Sequence, residues 1–164
     1  MKPLTVIAAS VVLLLLISGC GSSISPTFTT GRWCDGGGNE GTMSATIDGT
    51  VWTASRAGDP DLLTTLSDGD LEINASDCVH FLSMFVGPGV KGPGTYPVYL
   101  ATYESDPLAG PAWWVDSTGG SGSVTVTALT RTTVSGSFVL SMHPGQGASG
   151  TKVVTNGSFS LSSP

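Results

Sequence analysis

Cys20 is the residue whose type and position most directly predict chemistry. It follows an almost wholly apolar run from residue 4 to residue 17, and only the small residues Ser18 and Gly19 separate it from that run. A cysteine thiolate is a strong nucleophile, and a small-residue approach leaves it accessible to a modifying enzyme. We therefore expect covalent modification of Cys20, and the segment around it indicates which kind.

The segment before Cys20 has the composition of a secretory signal. Lys2 supplies the one positive charge ahead of the apolar run. About 14 residues of helix extend roughly 21 Å, which is short of the roughly 20 residues that a bilayer-spanning helix needs. A basic start, a short apolar core and small residues at its end are typical of a cleaved leader. We expect residues 1–19 to be a signal peptide.

The stretch Ile17-Ser18-Gly19-Cys20 resembles the lipobox of bacterial lipoproteins. The resemblance implies that the thiol of Cys20 receives a diacylglyceryl group, that the leader is cut before this residue, and that the new amino terminus is acylated. Acyl chains then anchor the protein to a membrane, each buried methylene contributing about 0.8 kcal/mol. Gly21, in place of Asp, resembles the outer-membrane address of some Gram-negative lipoproteins. The alternatives are an ordinary signal peptide that contains a cysteine and a short membrane anchor.

Cys34 and Cys78 remain as a pair once Cys20 is lipidated. Outside the cytoplasm such a pair usually forms a disulfide. Closing a loop of about 45 residues stabilises a fold by roughly 4 kcal/mol in the chain-entropy model. We predict a Cys34–Cys78 disulfide. The alternative is two separate buried thiols, and zinc is disfavoured because the sequence has nothing resembling a CxxC motif.

Residues that commonly catalyse reactions do not form a recognisable set in this sequence. His80 and His143 belong neither to an HExxH motif nor to a close pair, and a GxSxG nucleophile motif is absent. Acidic residues are frequent at 35–40 and 59–72, which suits Ca²⁺, but they lack the EF-hand spacing and commonly cap turns. The sequence predicts no catalytic residue, no metal and no cofactor, and it favours a protein that is not an enzyme.

Trp113 and Trp114 are the candidate ligand-binding residues. They are adjacent in the stretch PAWWVD, so they must point to opposite faces if this stretch is a strand. One ring then fills the core, and the other is exposed or covered by a loop. An exposed aromatic ring can stack on a sugar or anchor a partner protein. The alternative is that both rings pack under loops.

The elements that must position these residues are β-strands. The chain contains 23 Gly and 10 Pro, which disfavour helices, while short alternating apolar runs favour strands. Asp48-Gly49 is a strong hairpin-turn signal. The stretches VSGSFVLS at 134–141 and VTNGSFSLS at 154–162 are near copies, as two neighbouring antiparallel strands would be, with a glycine in each marking a bend or bulge. We predict an all-β fold of about 8–10 strands, either an antiparallel β-sandwich or strongly curved, barrel-like sheets.

Four short motifs carry a second resemblance. ATIDGTVWTA, GTYPV, GSVTVTALT with TVSGSFVLS, and VTNGSFSL follow one another between residues 45 and 161. Together they resemble a family of bacterial lipoproteins of unknown function that has an IDGxxW motif after its lipobox. The resemblance implies a compact β-domain on a lipid anchor, and it brings no catalytic residues with it.

The organisation that follows is a signal peptide at 1–19, a lipidated terminus with a flexible tether at 20–31, and one β-domain at 32–164. The formal net charge of −6 makes nucleic acid an unfavourable partner. We expect a lipid-anchored protein of the bacterial cell envelope, outside the cytoplasm, whose domain is structural or binds an envelope protein or a glycan. The alternative is a carrier for a small hydrophobic ligand or a glycan.

Overall fold

A computed structural model describes residues 41–54, 56–57, 69–105 and 110–162. Cys20, the predicted tether and Cys34 lie outside the described residues. Every regular element described is a strand, which confirms the predicted all-β class. The strands are β1 (Gly41–Ile47), β2 (Thr50–Thr53), β3 (Arg56–Ala57), β4 (Leu71–Ser76), β5 (Phe81–Val86), β6 (Gly94–Glu104), β7 (Ala112–Val115), β8 (Ser121–Leu129), β9 (Thr133–Pro144) and β10 (Lys152–Ser162).

Antiparallel pairing of neighbouring strands closes this sheet into a barrel. β1 pairs with β2, β3 with β4, β4 with β5, and β5 with β6. β7 and β8 both pair with β6 on one side and with β9 on the other, and β9 pairs with β10. β10 finally pairs with β1. The consecutive segments β2 and β3 pair with β1 and β4, and β7 and β8 both lie between β6 and β9, so the strands form a closed antiparallel barrel.

Apolar side chains on alternate residues fill the inside of the barrel. Along β1, for example, Met43, Ala45 and Ile47 are buried while the residues between them are at least partly exposed. Burial of this apolar surface is the main favourable contribution to folding. The largest fully buried side chains are Met43, Leu71, Ile73, Leu82, Met84, Met142, Leu161, Val86, Val124, Val126, Val134 and Val154.

The two ends of the barrel carry different connections. The end we call the lower end contains Gly41, Ser162 and the connections at 87–93 and 130–132. The upper end contains the Asp48-Gly49 turn, the connection at 77–80, the link from β6 to β7, and the loop at 145–151. Asp48 and Gly49 have φ values of 48° and 81°, as a tight two-residue hairpin turn requires, so the predicted turn is confirmed.

A reciprocal glycine–phenylalanine pairing explains the near copies in β9 and β10. Phe138 lies opposite Gly157, and Phe159 lies opposite Gly136. The two rings are buried, with centroids 6.4 Å apart, and each one covers the glycine of the neighbouring strand. The pairing with β9 shifts register between Val154 and Gly157, which is the predicted bulge.

We predict that Gly157→Ala lowers the free energy of unfolding by about 1–3 kcal/mol, because the added Cβ would stand 2.6 Å from the packed ring of Phe138. Urea unfolding followed by circular dichroism measures the difference. Gly92→Ala is the matched control, since a Cβ there meets nothing within 4 Å. Equal stability of the two variants would contradict the packing role of Gly157.

Candidate functional site

The wall of the barrel separates the two candidate tryptophans. Trp113 points inward and is 9% exposed, whereas Trp114 points outward and is partly exposed. The predicted opposite orientation is therefore confirmed. Because each ring belongs to a different set of neighbours, the two residues must be considered as two sites.

Trp113 belongs to a polar and aromatic group at the upper end, which we call the inner cluster. Its Nε1 donates a hydrogen bond to the carbonyl of Gly150 at 3.1 Å. The ammonium of Lys152 lies 3.9 Å from the centroid of the Trp113 ring and 2.9 Å from a carboxylate oxygen of Asp48. Asp48 in turn accepts a hydrogen bond from the backbone N–H of Val153 at 2.8 Å. This cation–π contact and ion pair fasten the β1–β2 turn to β7 and β10.

Asp77 organises the other side of the inner cluster. Its two oxygens accept hydrogen bonds from Nε1 of Trp52 at 2.9 Å and from the backbone N–H groups of Val79 and His80. Nδ1 of His80 lies 2.8 Å from the same carboxylate. Partial burial alone would raise the pKa of Asp77, but the hydrogen bonds from His80 and from Val79 outweigh it and hold that pKa below its usual value.

Tyr103 connects the two halves of the inner cluster. Its ring stacks on the imidazole of His80, with centroids 5.7 Å apart and planes 12° apart, and it lies 6.1 Å from the ring of Trp113. Burial, together with the nearby charges of Asp77 and Asp48, raises the pKa of Tyr103 to about 12. The phenol is therefore neutral throughout the physiological range. The side chains of the inner cluster pack together at the upper end of the barrel.

Trp114 belongs to an outward-facing group, which we call the outer platform and which consists of Trp114, Asp116, Thr118 and His143. Trp114 lies opposite His143 across the β7–β9 pair, and their rings meet edge to face with centroids 6.2 Å apart. Nε2 of His143 lies 3.2 Å from Oδ1 of Asp116. The hydroxyl of Thr118 also donates to Oδ1 of Asp116, at 2.6 Å.

Glycines seat both rings of the outer platform directly on backbone. A Cβ on Gly145 would stand 2.7 Å from the indole of Trp114, and one on Gly119 would stand 3.1 Å from the imidazole of His143. Each ring therefore packs closely against the backbone at a glycine, where any larger residue would collide with it.

Asp116 is strongly ionised. The hydroxyl and the backbone N–H of Thr118 lower its pKa to about 2, with smaller contributions from His143 and against an opposing effect of desolvation. The hydrogen bonds given to this side chain by described residues all reach Oδ1. Oδ2 therefore remains an acceptor at the surface of the platform.

An open groove of about 410 Å³ runs below the outer platform across the outer faces of β8, β9 and β10. In register, Ser141 lies between Ser121 and Val153, and Val139 lies opposite Ser123. Val139 and Val153 are 49% and 44% exposed. The residues that line the groove are Ser121, Gly122, Ser123, Val139, Leu140, Ser141, Val153, Val154 and Thr155, all of them uncharged.

Cys78, the remaining predicted site residue that the structure describes, lies in the exposed connection between β4 and β5 at the upper end, with φ of 75°. It is one half of a disulfide. Cys34 and Cys20 lie outside the described residues, so the Cys34–Cys78 pairing and the lipidation of Cys20 stay predictions.

Comparison with models of known protein families, with curated proteins and with solved structures gives no match. Among the described residues, no three His, Cys, Asp or Glu side chains come close enough to hold a metal ion together. No helix in that part of the chain is long and apolar enough to cross a membrane.

The sequence did not predict that Lys152, Asp116 or the groove would belong to a candidate site. Lys152 is a single cation far from Trp113 and Asp48 in the sequence, and only the closure of the barrel brings the three together. For Asp116 a signal did exist, because a residue two positions after Trp114 on a strand shares its face.

We predict that Asp116→Asn flattens the acid end of the stability profile. A carboxylate whose pKa falls from 3.8 to about 2 on folding stabilises the fold fully above pH 3.8, and this contribution is lost as the pH falls through about 2. The wild-type protein should therefore lose more unfolding free energy between pH 4 and pH 2 than the variant does. Urea unfolding at several pH values measures both slopes, and equal slopes would show that Asp116 is not held in this network.

Proposed function

We propose that this protein is a bacterial lipoprotein, anchored in the cell envelope by acyl chains on Cys20, whose barrel is a binding or structural domain rather than an enzyme. The observation that carries the anchoring part is the stretch Ile17-Ser18-Gly19-Cys20 directly behind a short apolar leader. The disulfide at Cys78 supports a location outside the reducing cytoplasm.

The use of the acidic side chains supports a non-enzymatic role. Asp77 and Asp116 accept hydrogen bonds from backbone N–H groups of the connections in which they lie, and Asp48 accepts one from the backbone N–H of Val153 on β10. Carboxylates held in this way fix the connections around them. The two histidines are also accounted for structurally, since each is paired with one of these carboxylates.

A ligand on the outer face is a better second candidate than a hydrophobic ligand inside the barrel. The inward-facing positions are occupied by packed apolar side chains. Trp113, which would line such an interior site, is already in contact with Lys152 and bonded to Gly150. The groove and Trp114 instead lie together on the outside, which favours a glycan over a hydrophobic cargo.

We predict that Cys20→Ala abolishes acylation and membrane retention, because it removes the nucleophile that would carry the lipid. Cells are labelled with a palmitate analogue and fractionated, and the protein is followed by its label and by mass spectrometry of its amino terminus. Ser22→Ala, two residues further along, is the matched control and should be labelled and processed like the wild type. A labelled, membrane-bound Cys20→Ala protein would overturn the proposal.

We predict further that Cys34 and Cys78 are joined by a disulfide. Since Cys78 lies at the upper end, this bond would fasten the amino-terminal segment to that end of the barrel. Peptide mass spectrometry without reduction should find both cysteines in one linked peptide, and Cys34→Ser should cost about 4 kcal/mol of unfolding free energy. Free thiols at both positions would contradict the prediction.

A further inference from the structure

The outer platform and the groove form one continuous surface. Val139, Ser141 and His143 follow one another on the outward face of β9 at two-residue intervals. Ser141 lines the groove, and His143 belongs to the platform, so the platform stands at the upper end of the groove. From Val139 to His143 the surface extends about 13 Å along the strand.

The residues of this surface suit an uncharged ligand that carries hydroxyl groups. Ser121, Ser123, Ser141 and Thr155 supply hydroxyl groups that both donate and accept hydrogen bonds. Val139 and Val153 supply apolar contact on the floor between them. The lining is mostly apolar with hydroxyl-bearing residues among it, so a ligand that presents C–H surfaces together with hydroxyl groups can contact both.

At the upper end of the groove, the outer platform provides groups that can bind a sugar ring. The indole of Trp114 offers a partly exposed apolar ring with a polar N–H, and aromatic rings of this kind pack against the C–H face of a sugar. The Asp116 carboxylate is 27% exposed, and the hydrogen bonds that described residues give it all reach Oδ1, so Oδ2 can accept from a sugar hydroxyl. The groove of about 410 Å³ is open to solvent, so a chain can lie along it without entering an enclosed cavity.

We propose that the groove on β8, β9 and β10, together with the outer platform at its upper end, binds an uncharged saccharide chain, with one sugar ring on Trp114 and the chain continuing over Val139 and Val153. This proposal names a ligand for the binding role proposed above and so rests on it. Trp113 takes no part, because it lies on the inner side of the barrel wall.

Isothermal titration of the mature, detergent-solubilised protein with chitotetraose, maltotetraose and cellotetraose tests the proposal. At least one of these probes should bind the wild type with a dissociation constant of about 1 mM or tighter. Trp114→Ala should weaken that binding about tenfold or more, since an aromatic anchor at a binding site carries a large share of the affinity. Near-UV circular dichroism and urea unfolding establish that each variant is folded.

A pair of valine variants tests the groove independently of Trp114. Val139→Lys puts a long, charged side chain on the groove floor and should also weaken binding about tenfold. Val51→Lys is the matched control, because Val51 is 78% exposed on β2, outside the groove, and its substitution should leave binding unchanged.

Three results would overturn the proposal. The first is that none of the probes binds the wild type at about 10 mM. The second is that Trp114→Ala and Val139→Lys bind a probe as the wild type does. The third is self-association of the wild type that Val139→Lys abolishes, since the groove would then be a protein interface. Acylation of Cys20 is measured separately, so a failure here leaves the anchoring proposal standing, and a failure of acylation leaves this one standing.

Discussion

The pairing of β1 with β10 is the contact on which the rest of the structure depends. It joins the first and last described strands, and its serine pair, Ser44 and Ser158, is separated by 114 positions in the sequence. Without it the sheet would have two open edges, and open edges promote association with other chains. With it, one face of every strand becomes interior, so the apolar residues at alternate positions point into the core.

The ionic contacts at the upper end reinforce the same closure. Asp48 belongs to the β1–β2 turn, and Lys152 begins β10, so their ion pair bridges the two strands that close the barrel. Lys152 also covers the ring of Trp113, a residue of β7 on the other side of β9. The inner cluster therefore joins elements from both halves of the chain. This gives its charged and aromatic residues a structural role.

The barrel wall assigns different tasks to two adjacent residues. Trp113 packs inside against Lys152, while Trp114 lies outside, against Gly145 and beside His143. Among the described residues, the inward-facing side chains are packed apolar ones, and the groove lies on the outer surface. An outer face is accessible without any opening of the barrel.

The sequence by itself determined the strand content, the Asp48-Gly49 turn and the division between Trp113 and Trp114. These are local properties, because they follow from turn residues and from the two-residue period of a strand. It also indicated that the glycines of the two near copies, Gly136 and Gly157, mark a bend or bulge. It left open whether the sheets form a sandwich or a barrel.

Only the tertiary structure decided that question, because it turns on which strands pair at long range, and such pairing leaves no local signal. The same holds for the Lys152–Trp113–Asp48 contact and for the outer groove. Ser121, Ser141 and Val153 are unremarkable polar or apolar strand residues in the sequence. They become one surface only because the register of β8, β9 and β10 places them side by side.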